Sequence, residues 1–265
     1  MSSRDRDGAD RYSRQKRFAG LGPAGHDRIR QGRAVLVGCG ALGSSIANAL
    51  VRAGVGRLTL IDDDLLETSN LQRQTLFDER QARAQMPKVE AARERLAQIN
   101  RDVDLRAIEA RVTPETMSDL VGRPDVVLDG TDRFLPRYLI NDYCVREAIP
   151  WIHGGCAACQ GQVMPVLPGV TPCLRCIFPE IPGEEDALNA DTLGILGPIA
   201  HLVASLQAIE ALKILSGRRE LVRAVLHAVD PWASRLATIS LSGPEPQCPC
   251  CGQRRFDFLE PEEAR

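Results

Sequence analysis

Ala34-Val35-Leu36-Val37-Gly38-Cys39-Gly40-Ala41-Leu42-Gly43 is the stretch on which the fold turns. Ala34 to Gly38 is a short apolar run, the composition expected of a strand buried on both faces. It leads straight into Gly38, Gly40 and Gly43, and then into a helical segment, Ser44 to Ala53, which Gly54 ends. A strand, a glycine turn and a helix in that order let the backbone approach a phosphate, with the helix N-terminus supplying N–H donors. The unit suits NAD, FAD or ATP. A tight strand–helix packing turn without a ligand is the plainer alternative. Asp62 stands at the end of the next strand, Arg57 to Ile61, where it can bond a ribose hydroxyl.

Outward from this unit, strands and helices alternate. Pro87 is placed to open a helix running to about Ile99, and residues 65–86 show no long element. Leu105 to Ile108 and Val126 to Leu128 read as further strands, Leu135 to Glu147 as a helix, and Trp151-Ile152 as the strand after it. The alternation predicts a doubly wound, mostly parallel, Rossmann-like α/β sheet. The second half changes character. Gln162 to Leu167, Arg223 to Val229 and Arg235 to Leu241 read as strands that form a mixed or antiparallel extension, around a long apolar helix from Gly197 to Leu215. Residues 180–193 read as a polar, mobile loop. The expected organisation is a disordered 1–10, a nucleotide-binding part at 11–170 opening with a polar helical lead-in (Arg11 to Gly32), a knuckle, crossover and partner-binding part at 171–252, and a tail at 253–265.

With 265 residues and 44% hydrophobic composition, the chain can bury a substantial core. A net charge of −2 offers no broad basic surface for nucleic acid or anionic membrane. No apolar run reaches the roughly 20 residues a bilayer span requires, and the polar N-terminus lacks a signal-peptide core. A cytoplasmic location follows as the expectation. In a reducing compartment, nine cysteines point to metal before disulfides.

Those cysteines fall into groups. Cys173-x-x-Cys176 and Cys248-x-x-Cys251 are paired knuckles, and four thiolates make a closed structural zinc site. Cys250 could substitute for a neighbour. Cys39 and Cys144 fit small apolar packing roles. Cys156-Ala157-Ala158-Cys159 fits a strand-edge segment with two packed thiols more simply than a redox pair, and His153 beside Gly154-Gly155 fits a structural histidine. A second polar group is Asn70-Leu71-Gln72-Arg73-Gln74 followed by Lys88. A nicotinamide has little use for such a set. A triphosphate does, since arginine offers a fixed fork for phosphate oxygens and lysine a compact charge. Asp129 and Asp132 follow the fourth strand, where open α/β sheets bind ligands. A carboxylate there can hold Mg²⁺ beside the phosphates. Asp132 is expected to serve that role and Asp129 a structural one.

RYSRQ (11–15), GCGALG (38–43), IDDD (61–64), NLQRQ (70–74), PKVEAA (87–92), DGTDRF (129–134), the two knuckles, and GILGP (194–198) with SLQAIEALKIL (205–215) occur in one order. In this the chain resembles the adenylyltransferases of molybdopterin and thiazole biosynthesis, relatives of ubiquitin-activating enzymes, over residues 11–252. The resemblance implies ATP-dependent adenylation of the C-terminal glycine of a small β-grasp, ubiquitin-like or sulfur-carrier protein ending in Gly-Gly. It implies that Gly38, Gly40, Ala41, Leu42, Gly43, Asp62 and Asp64 line the nucleotide site. Asn70, Arg73, Gln74 and Lys88 would hold the phosphates, and Asp132 the Mg²⁺. Arg14 would reach the site of the neighbouring subunit in a homodimer. Arg14, Arg73, Lys88 and Asp132 are thus the expected catalytic set, with a structural Zn²⁺ on Cys173, Cys176, Cys248 and Cys251. One position departs: many relatives carry a cysteine four residues before Gly194, where this chain has Ala190. Either the branch stops at the adenylate, another thiol substitutes, or a reactive cysteine has been removed; the expectation carried forward is adenylation without transfer through a loop cysteine. No sulfur-donating module follows the second knuckle, so sulfur is expected from a separate protein. Three other readings remain open at this level: a relative adenylating a modified tRNA base or a peptide amide, an NAD-dependent oxidoreductase, and a non-catalytic partner-binding protein.

Overall fold

The computed structural model describes residues 10–183 and 190–260. Five strands run parallel: β1 (Arg33–Val37), β2 (Arg57–Ile61), β3 (Asp104–Ile108), β4 (Val126–Asp129) and β5 (Trp151–Ala157). Three more, β6 (Gln160–Val166), β7 (Val225–Asp230) and β8 (Arg235–Ser240), continue the same sheet antiparallel. The order is β3-β2-β1-β4-β5-β6-β7-β8, so the chain reverses direction across the sheet between β1 and β4. One sheet thus spans both halves that the sequence separates.

The helices are α1 (Ser13–Arg17), α2 (Gly22–Ile29), α3 (Ala41–Ala53), α4 (Glu79–Arg83), α5 (Lys88–Ile99), α6 (Met117–Val121), α7 (Phe134–Arg146), α8 (Leu174–Ile177), α9 (Ala190–Leu193) and α10 (Gly197–Leu215). Strand residues alternate between two cores. Leu36, Leu60, Leu128 and Ile152 face α3, α5 and α10, whereas Val35, Val37, Val127 and Trp151 face α7 and the cysteine knuckles. Among the described residues, α10 is the helix long and apolar enough to cross a membrane by length and composition. Here it lies against α3, β4, β5 and β6, with Ile199, Val203, Ala211 and Ile214 buried.

Several expected elements shift. The lead-in is two short helices, because Phe18 is extended and Gly22 takes a left-handed φ of +65°. β5 outruns Trp151-Ile152 because its hydrogen bonding passes from β4 to β6, which continues the ladder to Ala157. The hairpin tip leaves Cys159 in a turn, outside the strand where Cys156 sits, and both are half-buried. Ala190–Leu193 is helical where a loop is expected, and 184–189 lie outside the described residues. Of the 1–10 segment, only Asp10 is described. Its carboxylate accepts from the Tyr12 N–H (3.0 Å) and the Lys16 ammonium (2.8 Å).

At the switch between β1 and β4 the two following loops touch backbone to backbone. Gly38 has φ +90°, and a Cβ on it would stand 2.6 Å from the carbonyl carbon of Gly130. Gly38→Ala combines left-handed backbone with overpacking. It is expected to cost about 2–4 kcal/mol, read as a lowered urea midpoint. An unchanged midpoint would refute this contact.

Candidate active site

The glycine loop is fixed by the acid at the end of the neighbouring strand. Asp62 accepts from the Cys39 N–H through Oδ2 (2.5 Å) and from the Asp64 N–H through Oδ1 (2.8 Å). Burial raises the Asp62 carboxyl above its usual range, against the pull of Lys88 and these two N–H groups. Each oxygen retains room for a second donor.

Lys88 opens α5 and is buried. Its ammonium lies 2.7 Å from Asp64 Oδ2, and its N–H donates to the Asp64 carbonyl (3.0 Å). The Asn70–Gln74 segment folds over the glycine loop. Asn70 is buried and takes the Glu67 N–H (3.1 Å), while Arg73 donates to the Ser69 carbonyl (2.9 Å). Gln74 is buried with Oε1 unpartnered among the described residues, and its Nε2 lies 3.8 Å from where a Cβ on Gly40 would be. The start of α10 holds this segment down, since a Cβ on Gly197 would stand 2.7 Å from the Gln72 carbonyl oxygen. An unpartnered amide oxygen, a lysine and an arginine around a glycine turn form a polar cradle suited to phosphate oxygens and their counter-ions.

Asp129 and Asp132 part ways. Asp129 is fully buried and accepts from the Thr131 N–H (3.0 Å), the Thr131 hydroxyl (2.6 Å) and His153 Nδ1 (3.0 Å). Burial pushes its carboxyl up, but Arg137, His153 and Thr131 outweigh that and hold it below the usual range. Asp132 instead lines a cleft of about 570 Å³. That cleft runs past Arg137, Cys156 and Gln162 to Asp230 and Arg235 at the β7–β8 hairpin. β8 beyond it is exposed along its length, and Trp232 is 81% exposed.

His153 takes its protonation state from its partners. Its Nδ1 donates to Asp129, and its Nε2 accepts from Gln162 Nε2 (3.2 Å), which is the neutral form. Burial lowers its pKa, with Arg137 adding to that and Asp129 opposing it. Unfolded chains take up the proton near pH 6.5, where the folded chain does not. This contribution is therefore complete above that pH and is lost as pH falls through it. His26, also buried and lowered, acts in the same direction. Chemical denaturation at pH 7.5 and 5.5 should show lower stability at 5.5, with a smaller difference for His153→Gln.

Arg14 stands apart. It is exposed on α1, whose main contacts are with α2, and it makes no hydrogen bond or ion pair with the cluster. The α1 segment itself is anchored. The Tyr12 hydroxyl accepts from Asn100 Nδ2 (2.7 Å), and Gln15 donates to the Ala53 carbonyl (2.9 Å).

The four knuckle sulfurs converge. Sγ–Sγ distances are 3.6 Å for Cys173–Cys248, 3.8 Å for Cys173–Cys176 and 3.3 Å for Cys176–Cys251, and all four lie within 4.8 Å of one another. A tetrahedron with metal–sulfur bonds of about 2.3 Å has edges of about 3.8 Å. Cys250 takes a hydrogen bond from Asn141 Nδ2 (3.2 Å) and stands outside this group.

Two residues of this region escaped the sequence reading. Gln207 donates to the Asp129 carbonyl (2.8 Å) and fills the space that Gly154 leaves open. A polar side chain inside an apolar helix was its signal. Arg137, near the start of the helix after Asp132, carried the weaker signal of a lone cation.

The sequence matches the ThiF family over residues 12–250. It is 40% identical to a sulfur carrier protein ThiS adenylyltransferase of Bacillus subtilis, covering 95% of this chain and 74% of that protein. A SAMP-activating enzyme E1 of Haloferax volcanii is 37% identical, with 95% and 92% covered. The ThiS adenylyltransferase of Escherichia coli is also 37% identical, with 93% and 96% covered. Among solved structures, E. coli MccB crystallised with MccA-N7isoASN superposes with a TM-score of 0.80 at 24% identity, covering 95% of this chain and 75% of that one. Fold, motif order and these relatives agree: the chain belongs to the ThiF family, as an adenylyltransferase.

Proposed function

We propose that this protein uses ATP to adenylate the C-terminal carboxylate of a small β-grasp carrier protein ending in Gly-Gly. The carrying observation is the cleft that joins the Asp132 loop to the exposed β7–β8 edge. A folded partner seated on that edge can pass an extended tail to the phosphates. The names of the ThiS- and SAMP-activating relatives support the same substrate class.

In this reading the triphosphate lies over Gly38–Gly43, at the N-terminus of α3, with Ala41 and Leu42 supplying backbone N–H groups. Asp62 takes the ribose. Asn70, Arg73, Gln74 and Lys88 hold the phosphates, and Asp64 orients Lys88. Asp132 would carry magnesium, which when bound offsets phosphate charge. The carrier carboxylate is already ionised, so no base is required. One of its oxygens bonds to the α-phosphorus as the bond to the bridging oxygen breaks, and pyrophosphate leaves with that electron pair. The cations lower the repulsion between carboxylate and phosphate and stabilise the charge that builds. Arg14 of a second copy adds to them, which makes the active form a homodimer. Zinc on Cys173, Cys176, Cys248 and Cys251 fits the sulfur geometry and serves the fold. With alanine at 190, the chain delivers an acyl-adenylate, and sulfur comes from a separate donor.

ATP–pyrophosphate exchange, driven by each Gly-Gly-ending β-grasp protein from the same genome, tests this. Exchange with one carrier establishes the substrate. Absence of exchange with all of them, from folded protein that binds ATP, rejects the carrier reading in favour of another substrate or a non-catalytic role.

A further inference from the structure

Arg137 is buried, with 9% of its side chain exposed, yet it lines the cleft. Its guanidinium is held from behind. Nη2 donates to the Thr131 carbonyl (2.8 Å), and Nε faces Asp129 Oδ2 at 3.4 Å without forming a hydrogen bond. The face of Phe134 lies 5.5 Å from Cζ. Nη1 has no hydrogen-bond partner among the described residues. It lies 3.3 Å from where a Cβ on Gly155 would stand, so the glycine leaves that side of the fork open. Cys156, on the same strand, lines the cleft with it. The Thr131 carbonyl ties Arg137 to the loop that carries Asp132, so it sits at the Asp132 end of the cleft.

The charge arrangement defines what this fork can do. Asp129 is ionised and His153 neutral, so Asp129 balances the guanidinium charge from the rear. What remains toward the cleft is a set of N–H donors in fixed directions. A planar fork presents its donors to Asp129, the Thr131 carbonyl and the cleft in fixed directions, which the single rotating ammonium of a lysine does not. The chemical partner of an open guanidinium edge is an oxyanion, a carboxylate or a phosphate, and this edge opens on the cleft that runs from the β7–β8 hairpin, the path of a carrier tail and its carboxylate.

We infer that Arg137 binds the terminal carboxylate of the carrier tail and orients it toward the phosphates, an inference that rests on the carrier reading above. It separates two jobs: Arg73 and Lys88 on the triphosphate, Arg137 on the nucleophile.

The test uses the carrier that drives exchange, prepared with a free C-terminal carboxylate or with a C-terminal amide, and titrated calorimetrically without ATP. The unaltered chain should bind the carboxylate form about tenfold more tightly or better. Arg137→Gln should reduce that preference to near unity while leaving affinity for the amide unchanged. Where Arg137→Gln fails to fold because Asp129 is left uncompensated, Arg137→Gln with Asp129→Asn removes both charges and carries the same expectation. A purely structural role would weaken both carrier forms equally. That result, or retained discrimination in the variant, overturns the inference while leaving exchange by the unaltered chain intact. A chain that exchanges with no carrier instead removes the reading on which both rest.

Discussion

Arg73→Ala should slow carrier-dependent ATP–pyrophosphate exchange by about a hundred- to a thousand-fold, and Lys88→Ala should do the same. Neither side chain has a structural task proportionate to that loss. Arg73 is half-buried and donates to one carbonyl. Lys88 pairs with Asp64, whose own side chain is 58% exposed and rehydrates readily. The ion pair lost with Lys88 leaves its carboxylate in water, so the pairing itself is worth about 1 kcal/mol or less. On the proposed function, what both variants remove is positive charge beside the triphosphate, inside a cradle that also holds an amide oxygen on Gln74 without a partner among the described residues. The comparison that decides is between exchange and thermal unfolding in each variant, with Arg80→Ala on the exposed side of α4 as a control. A loss below tenfold in Arg73→Ala, at unchanged melting temperature, would remove that residue from the phosphate site.

Cys248→Ser should lower stability by about 4 kcal/mol or more, a fall of roughly 10 °C in a chain of this size. The sulfur group joins positions 75 residues apart. A metal there closes a long loop that the unfolded chain would otherwise be free to explore. Burial and the facing Cys176 push the Cys251 thiol up, so four thiolates form here only with a cation to offset their charge. More than the knuckle depends on it. Arg175 reaches Asp142 (3.2 Å) and Asp257 (2.8 Å), and the Phe258 ring lies 5.0 Å from Tyr138, so the tail after Cys251 is fastened to α7 and α8. Metal analysis should find one zinc per chain in the unaltered protein and in Cys250→Ala, and none in Cys248→Ser. Zinc retained in Cys248→Ser would show that Cys250 can replace a ligand.

The parallel half was readable because each of its parts has a local cause. Ala34–Val37 is apolar on both faces, the glycines follow at once, and Gly54 ends α3 in the left-handed conformation, with φ +83°. The knuckles were readable from spacing alone. The antiparallel half was harder. β5 leaves its parallel neighbour after Ile152 and folds back on β6 through the two-residue turn Ala158-Cys159, where Ala158 takes a positive φ of 51° without the glycine or asparagine that would mark such a turn in the sequence. The candidate site divides the same way. Glycines, Asp62 and Lys88 are punctuated by their neighbours. Arg137 becomes meaningful only once β5 brings Gly155 beside it and Asp129 is seen to lie behind it.

The backbone contact between Gly38 and Gly130 sets a limit on the history this chain can have. Where a glycine makes room for a side chain, a second change can restore space. Gly154→Ala collides with the Gln207 amide at 2.3 Å, and shortening Gln207 relieves the collision. At Gly38 the obstructing atoms are the main chain of Gly130 and Thr131. No substitution shortens a main chain. Position 38 is thus closed to compensation, and suppressor screens begun from alanine there should return only reversion to glycine, whereas screens begun from alanine at 154 should return changes at 207.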